Sequence, residues 1–377
     1  PATLDLLGRL VDKSLVSPPA SDEASAPTRA PRFRLLETLR SYAADRLAES
    51  GEEAAVRDRH LRHFLGAAER ACPDLTGPAQ AACLDRLEAD HENFLAALSW
   101  CERRAEPGAC GLRLAASLWR FWLARGHFSL GRAVLRTALA RGNAEDSTAR
   151  AEVLMGVGAL AFHQNDWDAA AAAYEEARAS MERLGVETGV GQALVGLGNV
   201  AMGRGAYSVA DATYRGALPR FERAGNERGK ALVASNRGRV AELRGDLATA
   251  RALHEEGIAG FERVGDAASL AVRLSSLAEL CLKLGDVPAC RARLAECLAV
   301  VLSLDERRAG CYALERTALL AQSTGDPSAA LRWCGAADAL RLRIASPPTP
   351  AEAKGIEAVV TGARRSLGGA ADPVWAE

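Results

Sequence analysis

Three stretches of this sequence carry residue types that could do chemistry. "GVGALA" from Gly156 and "GLGNVA" from Gly196 both read GxGxxA, the spacing that lets a backbone approach a dinucleotide pyrophosphate. "GNERGK" from Gly225 approaches a phosphate loop, but it is one residue short and places Ala231 where the loop needs a magnesium-binding hydroxyl. His60 and His63 stand one helical turn apart and could share a metal, yet no carboxylate or cysteine nearby completes a ligand set. The nine cysteines form no CxxC pair, and an odd number in a chain of 377 residues does not read as a disulfide framework. They fit reduced thiols used as small packing residues. There is no GxSxG and no HExxH, and His91, His127, His163 and His254 complete no motif. The sequence therefore assigns no catalytic residue, no metal ligand and no cofactor in this chain, and it reads as non-enzymatic.

The elements that carry these stretches explain them differently. Asn165, Gly205, Gly245, Gly285 and Gly325 fall in one column at forty-residue steps. The next column reads Asp166, Ala206, Asp246, Asp286 and Asp326. Small residues recur in register at Gly158, Gly198, Gly238, Ala278 and Ala318, and again at Ala177, Ala217, Gly257, Cys297 and Ala337. A sustained period of this size marks a solenoid of helical hairpins, with small residues where two helix backbones approach. Glycine permits a left-handed residue after one helix, and aspartate can cap the next. The two GxGxxA stretches thus lie inside helices, where no strand precedes them, and "GNERGK" lies in a turn. This pattern resembles the tetratricopeptide repeat: Leu194, Leu197, Gly198 and Ala201 match its first helix, and Ala210, Tyr214 and Ala217 its second. A unit of forty residues rather than about thirty-four requires longer helices or a longer connection. A degenerate unit with Gly126, Gly131, Leu135 and Ala138 extends the array over 109–343.

In such arrays the first helix of each unit lines the concave face. Its outward columns hold Asn199, Arg239 and Glu279 in one row and Phe162, Met202, Glu242, Leu282 and Gln322 in another, beside Ser235, Asn236, Ser275 and Glu315. The groove should be apolar toward its N-terminal end and polar in the middle, with Arg239 and Glu279 close enough to pair. The bland reading is a solvated face with an incidental ion pair. The sharper one makes Asn199, Ser235, Asn236, Arg239, Glu242, Ser275 and Glu279 a groove for a protein partner or a small-molecule inducer.

Alanine, leucine and arginine dominate, aromatics are 5% and the net charge is −1. That composition favours helix and argues against a wholesale nucleic-acid or membrane binder. No run of eighteen apolar residues suggests a membrane span, and a cytoplasmic location fits the thiols. Ahead of the array, residues 3–13 read as an amphipathic helix with Leu6, Leu7, Leu10 and Val11 inward. "SLVS" (14–17) and "RFRLL" (32–36) read as strands around a loop at 18–31, and a helix from Glu37 ends at Gly51. Helix, strand, long turn, strand is the second half of a winged helix, whose first helices would precede Pro1. Arg9, Lys13, Arg32 and Arg34 are a short basic cluster, too slight to predict direct nucleic-acid binding. Residues 52–108 read as a helical cap joining the two regions, and 344–377 as a "SPPTP" linker with a last helix over 351–367 and the end "VWAE".

"LLGRLVDKSLV", "RFRLLETLRSYAADRLAESGE", "RHLRHFLGAAE", "LDRLEADHENFLAALSW" and "LWRFWLARGHFSLGRAVL" resemble the large bacterial ATP-binding transcriptional regulators of the LuxR and SARP type, members of the STAND class of ATPases. A few bacterial adenylate cyclases carry a similar region. The resemblance implies an all-α tetratricopeptide-like superhelix preceded by a partial winged helix (1–51) with a small β-hairpin. It implies that the repeat arm senses an inducer or partner and relays that state to an ATPase and effector module outside this chain. ATP is then expected only in an upstream domain. A free-standing repeat scaffold for protein assembly is the alternative.

Overall fold

The structure is a computed structural model that describes residues 2–17, 33–76, 79–103, 109–142, 147–304, 306–344, 346–368 and 371. The loop expected at 18–31, Arg32 and the final "VWAE" lie outside the described residues. The chain divides into two units, residues 1–62 and 63–377.

In the first unit, α1 (Ala2–Asp12) leads into β1 (Val16–Ser17), which pairs antiparallel with β2 (Arg34–Leu35) through Val16 opposite Leu35. Helix α2 (Glu37–Glu49) follows, and Gly51, at φ 73°, takes the left-handed conformation beyond its end. The hairpin and both helices lie where the sequence put them. The inward face of α1 does not hold. Leu6 and Leu10 are 58% and 39% exposed, while Leu7 and Val11 are half-buried. Helix α1 packs on β1, and a strand of two residues has too little surface to cover a helix face.

Helix α3 (Glu53–Ala71) contains the division. A 3₁₀ turn (Cys72–Thr76), α4 (Gln80–Ala89) and α5 (His91–Arg103) then precede six helical hairpins. These are α6 (Ala109–Arg125) with α7 (Phe128–Arg141), α8 (Thr148–His163) with α9 (Trp167–Arg183), and α10 (Glu187–Gly203) with α11 (Tyr207–Arg223). They continue with α12 (Glu227–Leu243) and α13 (Leu247–Val264), α14 (Ala267–Lys283) and α15 (Val287–Leu304), and α16 (Arg307–Ser323) and α17 (Pro327–Arg343). Helix α18 (Pro350–Leu367) closes the chain with a capping box at Thr349 and Glu352.

From α9 to α17 every helix starts twenty residues after the previous one. The forty-residue unit is therefore two near-equal halves, each a helix of seventeen or eighteen residues and a short turn. One turn chemistry serves both. Gly205 N–H donates to Met202 O at 3.0 Å and Ala206 N–H to Ala201 O at 2.9 Å, the paired bonds that satisfy the last carbonyls of a helix. At Gly245 the same turn recurs, and Asp246 then accepts from Thr249 N–H at 3.1 Å to cap the next helix. Gly185, Gly225 and Gly265, between hairpins, share the positive φ of Gly205 and Gly245, and Asn165 adopts it at 59°. Asparagine is one of the few other residues that tolerates that region.

The GxGxxA stretches are packing features. A Cβ on Gly158 would lie 2.8 Å from the Tyr174 ring, one on Gly196 2.5 Å from the same ring, and one on Gly198 2.4 Å from Tyr214. Each pair of glycines thus leaves room for the aromatic side chains of adjacent helices. Of "GNERGK" only Gly225 and Asn226 form the expected turn; Glu227–Lys230 open α12, which Asn226 caps by accepting from Gly229 N–H at 2.8 Å. All nine cysteines are free, and six of them are buried.

The two ends of the array meet. Gln80 accepts from Ala268 N–H at 3.0 Å, satisfying one of the unpaired amides that open α14. Arg125 Nη1 donates to Leu304 O at 2.8 Å. Asn165 Nδ2 donates to Pro348 O at 3.0 Å, and Ser346 Oγ to His163 O at 3.2 Å. These contacts join residues about 180 positions apart. Sequence periodicity carries no sign of them.

Candidate binding cavity on the inner face

The inner face encloses two adjoining hollows, of ≈ 200 and ≈ 520 Å³. Phe162, His163, Asn199, Val272, Arg273 and Arg308 border both. Most of the walls come from the first helices of the hairpins, α6, α8, α10, α12, α14 and α16. The N-terminal side is apolar, with Trp119, Met155, Phe162 and Met202. The polar surface then continues past the middle to Arg316 and Arg341.

Of the residues singled out in the sequence, Asn199, Asn236 and Arg239 border the larger hollow. Asn199 Oδ1 accepts from Tyr214 OH at 2.6 Å and from Asn236 Nδ2 at 3.1 Å. Arg239 Nη1 lies 3.5 Å from Glu279 Oε1, one repeat away. Glu279 borders a smaller recess with Arg239 and Arg316. Ser235, Ser275 and Glu242 are buried and border none of these three hollows. Ser235 sits against Gly257 of α13, where a Cβ would come within 1.8 Å of its hydroxyl oxygen. It belongs to the close approach of α12 and α13.

Glu242 belongs to a chain of charges that links exposed Lys283 and half-buried Arg239, Glu279 and Arg316 to buried Glu315 and Arg341. Its carboxylate takes Arg239 Nη1 at 2.7 Å and Lys283 Nζ at 2.6 Å, with His254 Nε2 at 3.8 Å. Glu279 takes Lys283 at 2.8 Å and Arg316 at 2.6 Å. Glu315 takes Arg316 at 3.2 Å and Arg341 at 2.5 Å, and Arg341 reaches Glu352 of α18 at 3.6 Å. Burial alone would raise both carboxyls. The His254 contact with the Arg239 and Lys283 charges outweighs it at Glu242, held at about 2, and the Arg316, Arg239 and Lys283 charges hold Glu279 well below the usual carboxylate range. Burial, with Arg308 and Arg341 nearby, keeps His163 neutral.

One member of the inner face stands outside this compensation. Arg120 pairs with Glu152 at 3.1 Å, Arg228 with Asp266 at 2.5 Å, and Arg308 with Glu306 at 3.6 Å. Among the described residues Arg273 has no carboxylate partner, and its Nε has no hydrogen bond. Sequence reasoning missed it. The signal was there: Val153, Ala193, Val233 and Ala313 occupy the same column at forty-residue steps, all of them buried.

A second constellation was also missed. Glu88, His91 and His127 bring one ligand atom each to within 4.8 Å of the others. No helical spacing links His91 to His127, so the sequence could not pair them. The trio is already engaged: Trp122 Nε1 donates to His91 Nε2 at 3.1 Å, and Arg125 Nε lies 3.6 Å from Glu88. It reads as a hydrogen-bonded ion pair that seats the first hairpin on α4 and α5.

No family model matches the chain. It is 36% identical over 133 residues to proteins of Mycobacterium tuberculosis and Mycobacterium bovis named as HTH-type transcriptional regulators. The match covers 34% of this chain and 14% of those proteins, so the chain spans a minor part of their length. Among solved structures it is similar to a Rap protein complexed with Competence and Sporulation Factor, with a TM-score of 0.59 and 13% identity over 86% of this chain and 95% of that one. It is also similar to the aspartyl phosphate phosphatase F of Bacillus subtilis, with a TM-score of 0.54 and 13% identity over 80% and 76% of the two chains. At that identity the likeness speaks to fold alone: the chain is an all-α tetratricopeptide-like superhelix of helical hairpins with, among the described residues, one two-stranded hairpin.

Proposed function

We propose that this chain is the regulatory sensor and interaction arm of a STAND-type transcriptional regulator. Its inner face binds an inducer or a partner protein and relays that state to an ATPase and effector module outside this chain. The observation that carries the reading is the closure of the array around the hollows, in which α4, the first hairpin and the α8–α9 turn bond to the fifth hairpin and to the linker after the sixth. A ligand seated there touches helices from both ends of the array, so it can favour one arrangement of the ends over another. The junction rests on a handful of hydrogen bonds, each worth about 0.5–1.5 kcal/mol net. A ligand with a few kcal/mol of differential affinity would shift such a balance. The match to HTH-type regulators supports the regulatory context. Residues 1–51 serve as the end of a winged helix that packs and relays, 52–108 as the connector, 109–343 as the repeat arm and 344–377 as linker and last helix. ATP binds upstream, and the protein acts in the cytoplasm. No described helix is long and apolar enough to cross a membrane.

A free-standing scaffold is the rival. The upstream coding sequence separates the two, since a GxxxxGK[ST] motif within a few hundred residues favours the regulator and a start codon beside Pro1 the scaffold. The binding claim is tested by a thermal-shift screen of the 377-residue chain against metabolites and peptides. Hits should stabilise the native chain and fail to stabilise a variant with Asn199, Arg239 and Glu279 all changed to alanine. Hits that stabilise both equally would sink the reading.

A further inference from the structure

A repeat array explains most of its residues by column; Arg273 is an inner-face cation that neither its column nor an ion pair explains. Val153, Ala193, Val233 and Ala313 stand at the equivalent positions of other hairpins and are buried apolar residues. At 273 the column carries a guanidinium that borders both hollows. Arg308 borders both as well, and the two cations repel each other. Arg308 retains Glu306, whereas Arg273 has no ion-pair partner among the described residues. Burial and the Arg308 charge push the Arg273 guanidinium down to about 10, so it stays protonated at neutral pH. Arg273 is half-buried, and a cation drawn partly out of water without an ion-pair partner destabilises a fold unless something else neutralises it. Phe162, Val272 and Met202 line the same hollow of ≈ 520 Å³ and give it apolar surface. That volume suits a small molecule.

We infer that the larger hollow binds a small amphiphilic organic anion, with its carboxylate, sulfonate or phosphate group on Arg273 beside Arg308 and its apolar body against Phe162, Met202 and Val272. This rests on the reading of the inner face as a recognition surface and narrows it to one chemical class. Arginine suits the task, because its planar fork offers two parallel donors to a carboxylate or phosphate.

Two dyes of like shape test it. 1-Anilinonaphthalene-8-sulfonate carries the anion, and N-phenyl-1-naphthylamine lacks it. The native chain should bind the sulfonate at least tenfold more tightly than the neutral dye, by fluorescence titration. Arg273→Gln should abolish that preference and leave the neutral dye unchanged, while Arg273→Lys keeps part of it. Arg273→Val, which restores the residue of Val233, should melt no lower than the native chain without ligand. Equal binding of the two dyes, undiminished sulfonate binding by Arg273→Gln, or a lowered melting temperature for Arg273→Val would each overturn the inference. If both dyes bind equally, ignore Arg273→Gln and are lost in the Asn199, Arg239 and Glu279 triple-alanine variant, the recognition surface stands and the anion does not.

Discussion

Replacing Glu279 by glutamine removes one charge at the centre of the inner chain of ions and keeps the side-chain shape. Glu279 takes Lys283 at 2.8 Å and Arg316 at 2.6 Å, with Arg239 at 3.5 Å. A charge-assisted hydrogen bond is worth about 1.5–3 kcal/mol, against about 1 for a neutral one, so the two close contacts lose about 1–4 kcal/mol together. Three cations also lose a shared counter-charge, which places the expected cost at about 2–4 kcal/mol at pH 7. The pH dependence sharpens the test. The folded carboxyl is held below its ordinary 4.5. Its contribution is therefore present above that value and is lost as pH falls through the folded pKa. At pH 3, 1.5 units below 4.5, the gap between native chain and Glu279→Gln should have narrowed by about 2 kcal/mol, at about 1.36 kcal/mol per unit. Urea unfolding followed by circular dichroism at both pH values measures it. A gap under 1 kcal/mol at pH 7, or one that is the same at pH 3, would refute the account of the charge chain.

Two glycine substitutions should move stability in opposite directions. A Cβ on Gly198 would lie 2.4 Å from the Tyr214 ring, so Gly198→Ala should cost about 1–3 kcal/mol. Gly216 lies in α11 with nothing within 4 Å of an added Cβ, so Gly216→Ala should gain about 0.5–1 kcal/mol; thermal melts read both. Gln80→Ala leaves the Ala268 amide without its acceptor. That amide should then exchange with solvent about tenfold faster or more, and unchanged protection would show that the closure does not depend on Gln80. Glu242→Gln should lose most of its effect between pH 4.5 and about 2, because the folded carboxyl titrates at the lower of those values. A pH-independent effect would place the stabilisation in shape rather than charge.

The forty-residue period was legible because close helix packing demands small residues, and Gly158, Gly198 and Gly238 cannot be varied freely. The twenty-residue half-period was equally present in Gly185, Gly225 and Gly265. The two helices of a hairpin carry different side chains, so the half-period shows only at the turns. The inner face was legible to within one helical position. Asn236 borders the hollow and its neighbour Ser235 faces α13, since successive residues on a helix turn by about 100°. The meeting of the ends could not be read, because Gln80 and Ala268 share no column. In the first unit, the pattern of Leu6, Leu7, Leu10 and Val11 gives a helix and one apolar side, but periodicity says nothing about what covers that side.

Solenoids ordinarily tolerate the loss or gain of a unit, because each repeat touches only its neighbours. Here the contacts from Gln80 to Ala268 and from Asn165 to Pro348 fix the count. Remove one hairpin, and every local interface can be rebuilt while the two ends no longer arrive at the same place. Repeat number in this chain is therefore a gauge length, set by the circumference that must close.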